Sequence, residues 1–218
     1  MLTLSSTGEN SAASLYLWEL EIQCRIAAHA FACVNEEARI AVEGDHHSRR
    51  PRAKSPFELL ANCSAFLSSF GIIAKILFAG VGAETTMRDN QNPVILRAAT
   101  RAKALRELLK IDDLPALRSL AVRNAFEHID ERIDRLLRTQ PSGSFVWLHL
   151  THKAPPPGLV LKRFNPNTLT VSYLDDELDL AGCNSEVLQV REKLKGAFRR
   201  IRKDEALLSL RSSVCTAG

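Results

Sequence analysis

Residues 145–174 read FVWLHLTHKAPPPGLVLKRFNPNTLTVSYL, and the fold class turns on how that stretch is taken. Three runs in it, Phe145 to Leu150, Leu159 to Phe164 and Leu169 to Leu174, are rich in branched and aromatic residues. Those side chains suit a pleated, half-buried surface. Pro155-Pro156-Pro157-Gly158 and Asn165-Pro166-Asn167 punctuate the runs. The pattern predicts consecutive antiparallel strands, with a short fourth at Glu177 to Leu180.

Upstream the period changes from two to 3.6. Between Ala12 and about Val42, Leu15, Trp18, Ile22, Ile26, Cys33 and Ile40 keep to one face of a helix, and His29 falls on the same stripe. The polar, basic stretch Gly44 to Lys54 reads as an exposed loop. A second helix starts with Ser55 as N-cap, Pro56 in the first turn and Glu58 closing a capping box. It runs to about Phe78, where Gly80 and Gly82 end it. A third runs from Asn92-Pro93 to about Lys110. A fourth is expected from Leu114 to about Arg138, capped by Asp112 or Asp113, with Val122, Phe126, Ile129, Ile133, Leu136 and Leu137 on its apolar side.

Downstream, a last helix is expected from about Ser185 to Leu210, with Val187, Val190, Leu194, Phe198 and Ile201 as its stripe. Helices followed by strands imply an α+β fold: an N-terminal α-helical bundle, a small antiparallel β-sheet and a C-terminal helix. The division falls at 1–140 for the bundle and 141–218 for the sheet and basic helix, the second part packed on the first.

Composition narrows the class. Of 218 residues, 45% are hydrophobic and 25% charged, which is ordinary for a globular chain with a core that needs no staples. The net charge of +4 permits nucleic acid as a partner without demanding it. Five cysteines, an odd number with no CxxC pair, argue for free thiols in a reducing, cytoplasmic setting. Met1 to Ser14 lacks a basic start followed by an apolar run, so no secretory leader is expected. Leu59 to Gly82 is the most membrane-like stretch. Lys75 and several polar residues interrupt it, so it reads as a buried bundle helix and no membrane span is expected.

The chemistry concentrates in Arg123-Asn124-Ala125-Phe126-Glu127-His128. Imidazole moves protons near neutral pH, and guanidinium braces phosphate. Together they suit cleavage of RNA by its own 2′-hydroxyl, which needs neither metal nor cofactor. On one helix Arg123 and His128 project about 140° apart, so a two-fold dimer would gather the groups better than one chain. The bland alternative is that Arg123-Glu127, Glu131-Arg135 and Asp134-Arg138 are simply helix-stabilising pairs. The local acidity of Glu127, Asp130, Glu131 and Asp134 fits that alternative.

An Arg, then a polar residue, three variable residues and a His, on a late helix of a bundle, resembles the HEPN superfamily. Its signature is Arg-x(4–6)-His, often with Asn after the Arg, as in Arg123-Asn124-x-x-x-His128. The resemblance implies a homodimer through the motif helix. It also implies a metal-independent endoribonuclease or RNA-binding effector of toxin or antiviral defence type, with a regulatory protein as a candidate partner. Arg123 and His128 would be catalytic and Asn124 supporting. Asp130 stands where some members carry a modified Tyr, so that regulation is not implied. Arg39 and His46 also satisfy the spacing and receive no role.

Two basic stretches are candidate phosphate contacts: Arg49, Arg50, Arg52 and Lys54 in the loop, and Arg199, Arg200, Arg202 and Lys203 on the last helix. Adjacent His46-His47 beside Asp45 gives no persuasive metal site, and His149 and His152 fall at a strand end. The rival function is a non-catalytic helical dimerisation and partner-binding scaffold.

Overall fold

A computed structural model describes residues 8–46, 56–80, 92–119, 133–134, 137–139, 145–146, 149–150, 159–160, 162–173 and 176–215. Three helices come first: α1 (Gly8–His46), α2 (Pro56–Phe78) and α3 (Pro93–Leu109). One helical turn, α4 (Pro115–Arg118), follows them. The strands are β1 (Phe145–Val146), β2 (His149–Leu150), β3 (Leu159–Val160), β4 (Lys162–Asn165), β5 (Thr170–Tyr173) and β6 (Asp176–Asp179). A long helix, α5 (Leu180–Cys215), closes the described chain. The α+β class and its order of helices, antiparallel strands and C-terminal helix are as the sequence implies.

The core is one continuous cluster. From α1 it takes Leu17, Leu20, Cys24, Ala27, Val34 and Ala38; from α2, Leu59, Phe66, Phe70, Ile73 and Leu77. The sheet adds Phe164, Val171, Tyr173 and Leu178, and α5 adds Val187, Val190 and Leu194. Aromatic contacts stitch it: Phe31 to Phe66 and Phe66 to Phe70 at 5.9 Å, and Trp18 to Phe198 at 5.0 Å. α2 is apolar enough over Phe57–Phe78 to cross a bilayer by length and composition alone. Here it packs against α1, α3 and α4.

Local chemistry sets several boundaries. Asn92 caps α3, its side chain accepting from the Val94 N–H at 2.9 Å, and Pro93 occupies the first turn. Gly80 ends α2 with φ +74, and a Cβ there would lie 2.8 Å from the Ala99 Cβ. Both conformation and space require glycine at that position. Arg106 donates to the Leu77 carbonyl at the end of α2, and its guanidinium lies 5.3 Å from the Phe78 ring. α1 is longer than its sequence period implies, reaching into what was expected to be loop at residues 44–46.

Three expectations need correction. On α1 the fold buries Leu17, Leu20, Cys24, Ala27 and Val34, whereas Leu15, Ile22 and Ile26 of the expected stripe stay outside at 60%, 48% and 42% exposure. His29 is exposed with them. The helix carries two apolar faces, and small residues on the true inner face let α2 approach closely.

The fourth helix does not run unbroken from Leu114. Ser119 has an extended backbone, ψ 125, so α4 is a single turn; helical backbone returns at 133–134 and 137–139. Neither Asp112 nor Asp113 caps it. The Ala116 and Leu117 N–H groups donate to the two carboxylate oxygens of Glu186 on α5, at 2.9 and 2.8 Å.

The first strand pairs parallel, not antiparallel. Phe145 and Val146 face Leu159 and Val160, and His149 and Leu150 face Arg163 and Phe164. A run of three prolines is unsuited to the tight turn of an antiparallel hairpin. The later strands are antiparallel in order β4-β5-β6, as expected. Their hairpin turn is shaped by Asn165, whose side chain accepts from the Asn167 N–H at 3.0 Å.

Candidate functional site

Arg123, Asn124 and His128 follow α4 in the sequence, and the turn α4 is firmly fixed. Glu186, only 7% exposed, holds that turn through both carboxylate oxygens. An anion at a helix N-terminus also complements the partial positive charge there. Asp179 plays the same part for α5, accepting from the Ala181 N–H at 2.9 Å. Its carboxylate lies where a Cβ on Gly182 would sit, 2.7 Å away. Arg123, Asn124 and His128 themselves lie outside the described residues, as do Arg49, Arg50, Arg52, Lys54 and His152.

Around the fixed turn is a cavity of about 320 Å³ between α4, β6 and the start of α5. Its polar lining includes Asp176, Glu177, Asp179, Glu186 and Ser119, with Cys183 beside them. Carboxylates repel phosphate, so this cavity is not itself an RNA cleft. Burial pushes the Cys183 thiol up to about 12, with Glu186 and Asp179 adding to the shift. A thiol held neutral in that way is a poor nucleophile. Among the described residues no group of three or more His, Cys, Asp or Glu side chains is arranged to hold a metal ion.

No protein-family model matches the chain, and no match is found among curated proteins or solved structures. Its functional reading therefore rests on its own residues.

The basic candidates on α5 divide among several tasks. Arg199 and Arg200 are both exposed, and Arg200 donates to the Leu108 carbonyl at 3.0 Å, closing the end of α3. Arg202 and Lys203 lie on the α5 backbone with side chains outside the described residues. Lys195 is paired with Glu192, whose carboxyl it holds below the usual range by hydrogen bonding. Arg191 is half-buried, close enough to Cys24 to oppose its upward shift. Lys193 and Arg199 are also exposed, and Arg199 lies close enough to Glu192 to help lower its carboxyl.

Sequence reasoning missed a polar row across the sheet. Parallel pairing sets His149 beside Arg163, and antiparallel pairing sets Arg163 beside Ser172 and Ser172 beside Glu177. Arg163 and Glu177 meet at 3.4 Å. His149 and Ser172 are 8% and 7% exposed, and neither His149 Nδ1 nor Ser172 Oγ has a hydrogen-bond partner among the described residues. The only signal in the sequence was the alternation around Arg163. The pairing that builds the row depended on the parallel β2-β4 register, which periodicity does not encode. His46 ends α1, and Asp45 precedes it on the same helix.

Proposed function

We propose that the chain is a HEPN-like, metal-independent endoribonuclease or RNA-binding effector of toxin or defence type, acting as a cytoplasmic homodimer. The observation that carries this reading is the motif Arg123-Asn124-x-x-x-His128. His128 serves as general acid or base on the 2′-hydroxyl or the leaving oxygen. Arg123 stabilises charge on the phosphorane, and Asn124 orients the phosphate or the imidazole. The exposed cations Lys193 and Arg199 offer phosphate contacts.

The test is cleavage of an RNA panel by purified protein in excess chelator, with His128→Ala alongside. The expected outcome is cleavage that survives chelation, leaves 2′,3′-cyclic phosphate ends, and falls at least about 100-fold in the variant. No cleavage of any RNA class, together with no change in cellular toxicity on His128→Ala, would sink the reading.

The second reading is a non-catalytic partner-binding scaffold. A specific observation favours it: α1 presents Leu15, Ile22 and Ile26 outward, side chains that its own fold leaves uncovered.

A further inference from the structure

The sheet turns one face to the core and one away from it. Phe164, Val171 and Leu178 are partners across three strands, and all three lie in the core. Side chains alternate along a strand, so the neighbouring partners His149, Arg163, Ser172 and Glu177 share the other face. Other polar side chains of that face are engaged. Asn165 accepts from the Asn167 N–H at 3.0 Å, Thr170 meets the Thr168 hydroxyl at 2.7 Å, and Asp179 accepts from the Ala181 N–H at 2.9 Å. Among the described residues His149 Nδ1 and Ser172 Oγ have no such partner, and both side chains are more than nine-tenths buried. A buried polar atom left unpaired is costly, and a bound group that pairs with it removes the cost. Arg163 stands on the strand between the two.

Arg163 already meets an anion of the protein's own. Its guanidinium lies 3.4 Å from the Glu177 carboxylate, with Ser172 on the strand between them. A good charge-assisted hydrogen bond is about 2.8 Å long. The two side chains are 41% and 60% exposed, so the pair holds weakly. Together they arch over the Ser172 hydroxyl and leave it unpaired.

We propose that this row binds a phosphate group, either free phosphate or the terminal phosphate of a nucleotide chain, which takes the place of Glu177 on Arg163. The guanidinium braces the phosphate, and Ser172 Oγ and His149 Nδ1 donate to its remaining oxygens. The number of acceptors selects the ligand. His149 and Ser172 stand two strands apart, about 9.5 Å between their backbones. The two oxygens of a carboxylate do not serve both ends of that row and Arg163 as well. A tetrahedral oxyanion does, with hydrogen bonds of about 2.8 Å on either side. The buried ends of the row suit a terminal group rather than a continuous backbone.

The acidic cavity meets this row only at Glu177. Of the other carboxylates there, Glu186 and Asp179 are held by N–H groups at the starts of α4 and α5, and Asp176 is the partner of Tyr173 on the opposite face of the sheet. Glu177 is therefore the acid that competes with the ligand. The site uses none of Arg123, Asn124 or His128, so it and the ribonuclease reading fail separately.

The test is a titration of the isotope-labelled full chain with inorganic phosphate at constant ionic strength, following the amides of His149, Arg163 and Ser172 by NMR. The expected result is a saturable shift at these residues with a Kd in the millimolar range. Glu177→Gln tightens binding at least about 5-fold by removing the competing charge, Ser172→Ala weakens it about 5-fold, and Arg163→Gln abolishes it. Arg163 and Glu177 are partly exposed, so both variants keep the wild-type circular dichroism. A short RNA with a 5′-phosphate that displaces inorganic phosphate, where its 5′-hydroxyl counterpart does not, assigns the site to nucleic-acid ends; displacement by neither assigns it to free phosphate. No saturable shift up to about 50 mM in either the wild type or Glu177→Gln, an affinity that Glu177→Gln fails to raise, or binding that survives Arg163→Gln would each overturn the proposal.

Discussion

α1 and α2 are neighbours of opposite design. α2 turns most of its large apolar residues inward, with Phe66, Phe70, Ile73 and Leu77 at 0% exposure, and leaves Phe57 and Ile72 outside. α1 has two apolar faces and buries the one that, beyond Leu17 and Leu20, is made of smaller side chains: Cys24, Ala27, Ala30, Val34 and Ala38. The larger Leu15, Ile22 and Ile26 remain outside. Hydrophobic periodicity locates an apolar stripe, but it does not say whether the chain or something else covers it. Where the inner face is lined by alanine, the face with the larger residues draws the eye and is the wrong one.

The comparison breaks most readily at Phe66. It touches Phe31 on α1 and Phe70 on its own helix, so Phe66→Ala opens a cavity at the centre of the α1–α2 contact. The expected cost is about 3–5 kcal/mol, measured by urea or thermal unfolding. A loss under about 1 kcal/mol would mean that the two helices do not share one core.

The same contrast shows what could be read from the sequence and what could not. α3 was fully legible because its ends are local: Asn92 and Pro93 open it, and the αL residue Lys110 closes it. The end of α2 at Gly80 was legible for the same reason. α4 was not, because its cap is Glu186, some seventy residues away, and no local pattern announces such a partner. The acidic residues at 112–113 offered a plausible local cap that lost to a buried carboxylate. The strand segments were visible in composition, yet the parallel pairing of the first was not, since strand composition carries no direction. The motif Arg123-Asn124-x-x-x-His128 is the reverse case: plain in sequence and resting on sequence alone.

Cysteines sharpen the comparison. Burial pushes Cys24 on α1's inner face and Cys63 on α2 up to about 12 from the usual 9.0, and Cys183 likewise. Burial also pushes the Tyr173 hydroxyl, beside Cys63, up to about 12. A raised thiol or phenol pKa means that the folded state keeps its proton where the unfolded chain releases it. Stability is therefore full below about pH 9 and falls as pH rises toward 12. The expected loss is on the order of 1 kcal/mol per buried thiol at pH 10, seen as a falling melting temperature between pH 8 and pH 10.5. Peptide-mapped alkylation at pH 8 gives the matching readout. Cys33, on the outer face of α1, reacts in the folded protein, and Cys24, Cys63 and Cys183 react only after unfolding. Early labelling of Cys24 would mean that the inner and outer faces have been exchanged.

The smallest effect isolates the outer face. At 60% exposure Leu15 makes few contacts that folding created, so Leu15→Ser should change monomer stability by less than about 0.5 kcal/mol. Leu17, two residues on, is fully buried and of identical chemistry. Leu17→Ala should cost about 2–5 kcal/mol, and the pair measured at low micromolar protein separates face from composition. Should Leu15→Ser cost as much as the buried site at that concentration, then the outer stripe is core after all, and the original periodicity reading of α1 stands. A small cost that grows with protein concentration is the opposite sign: the residue stabilises an assembly rather than the fold, because binding to the native state alone adds stability by mass action.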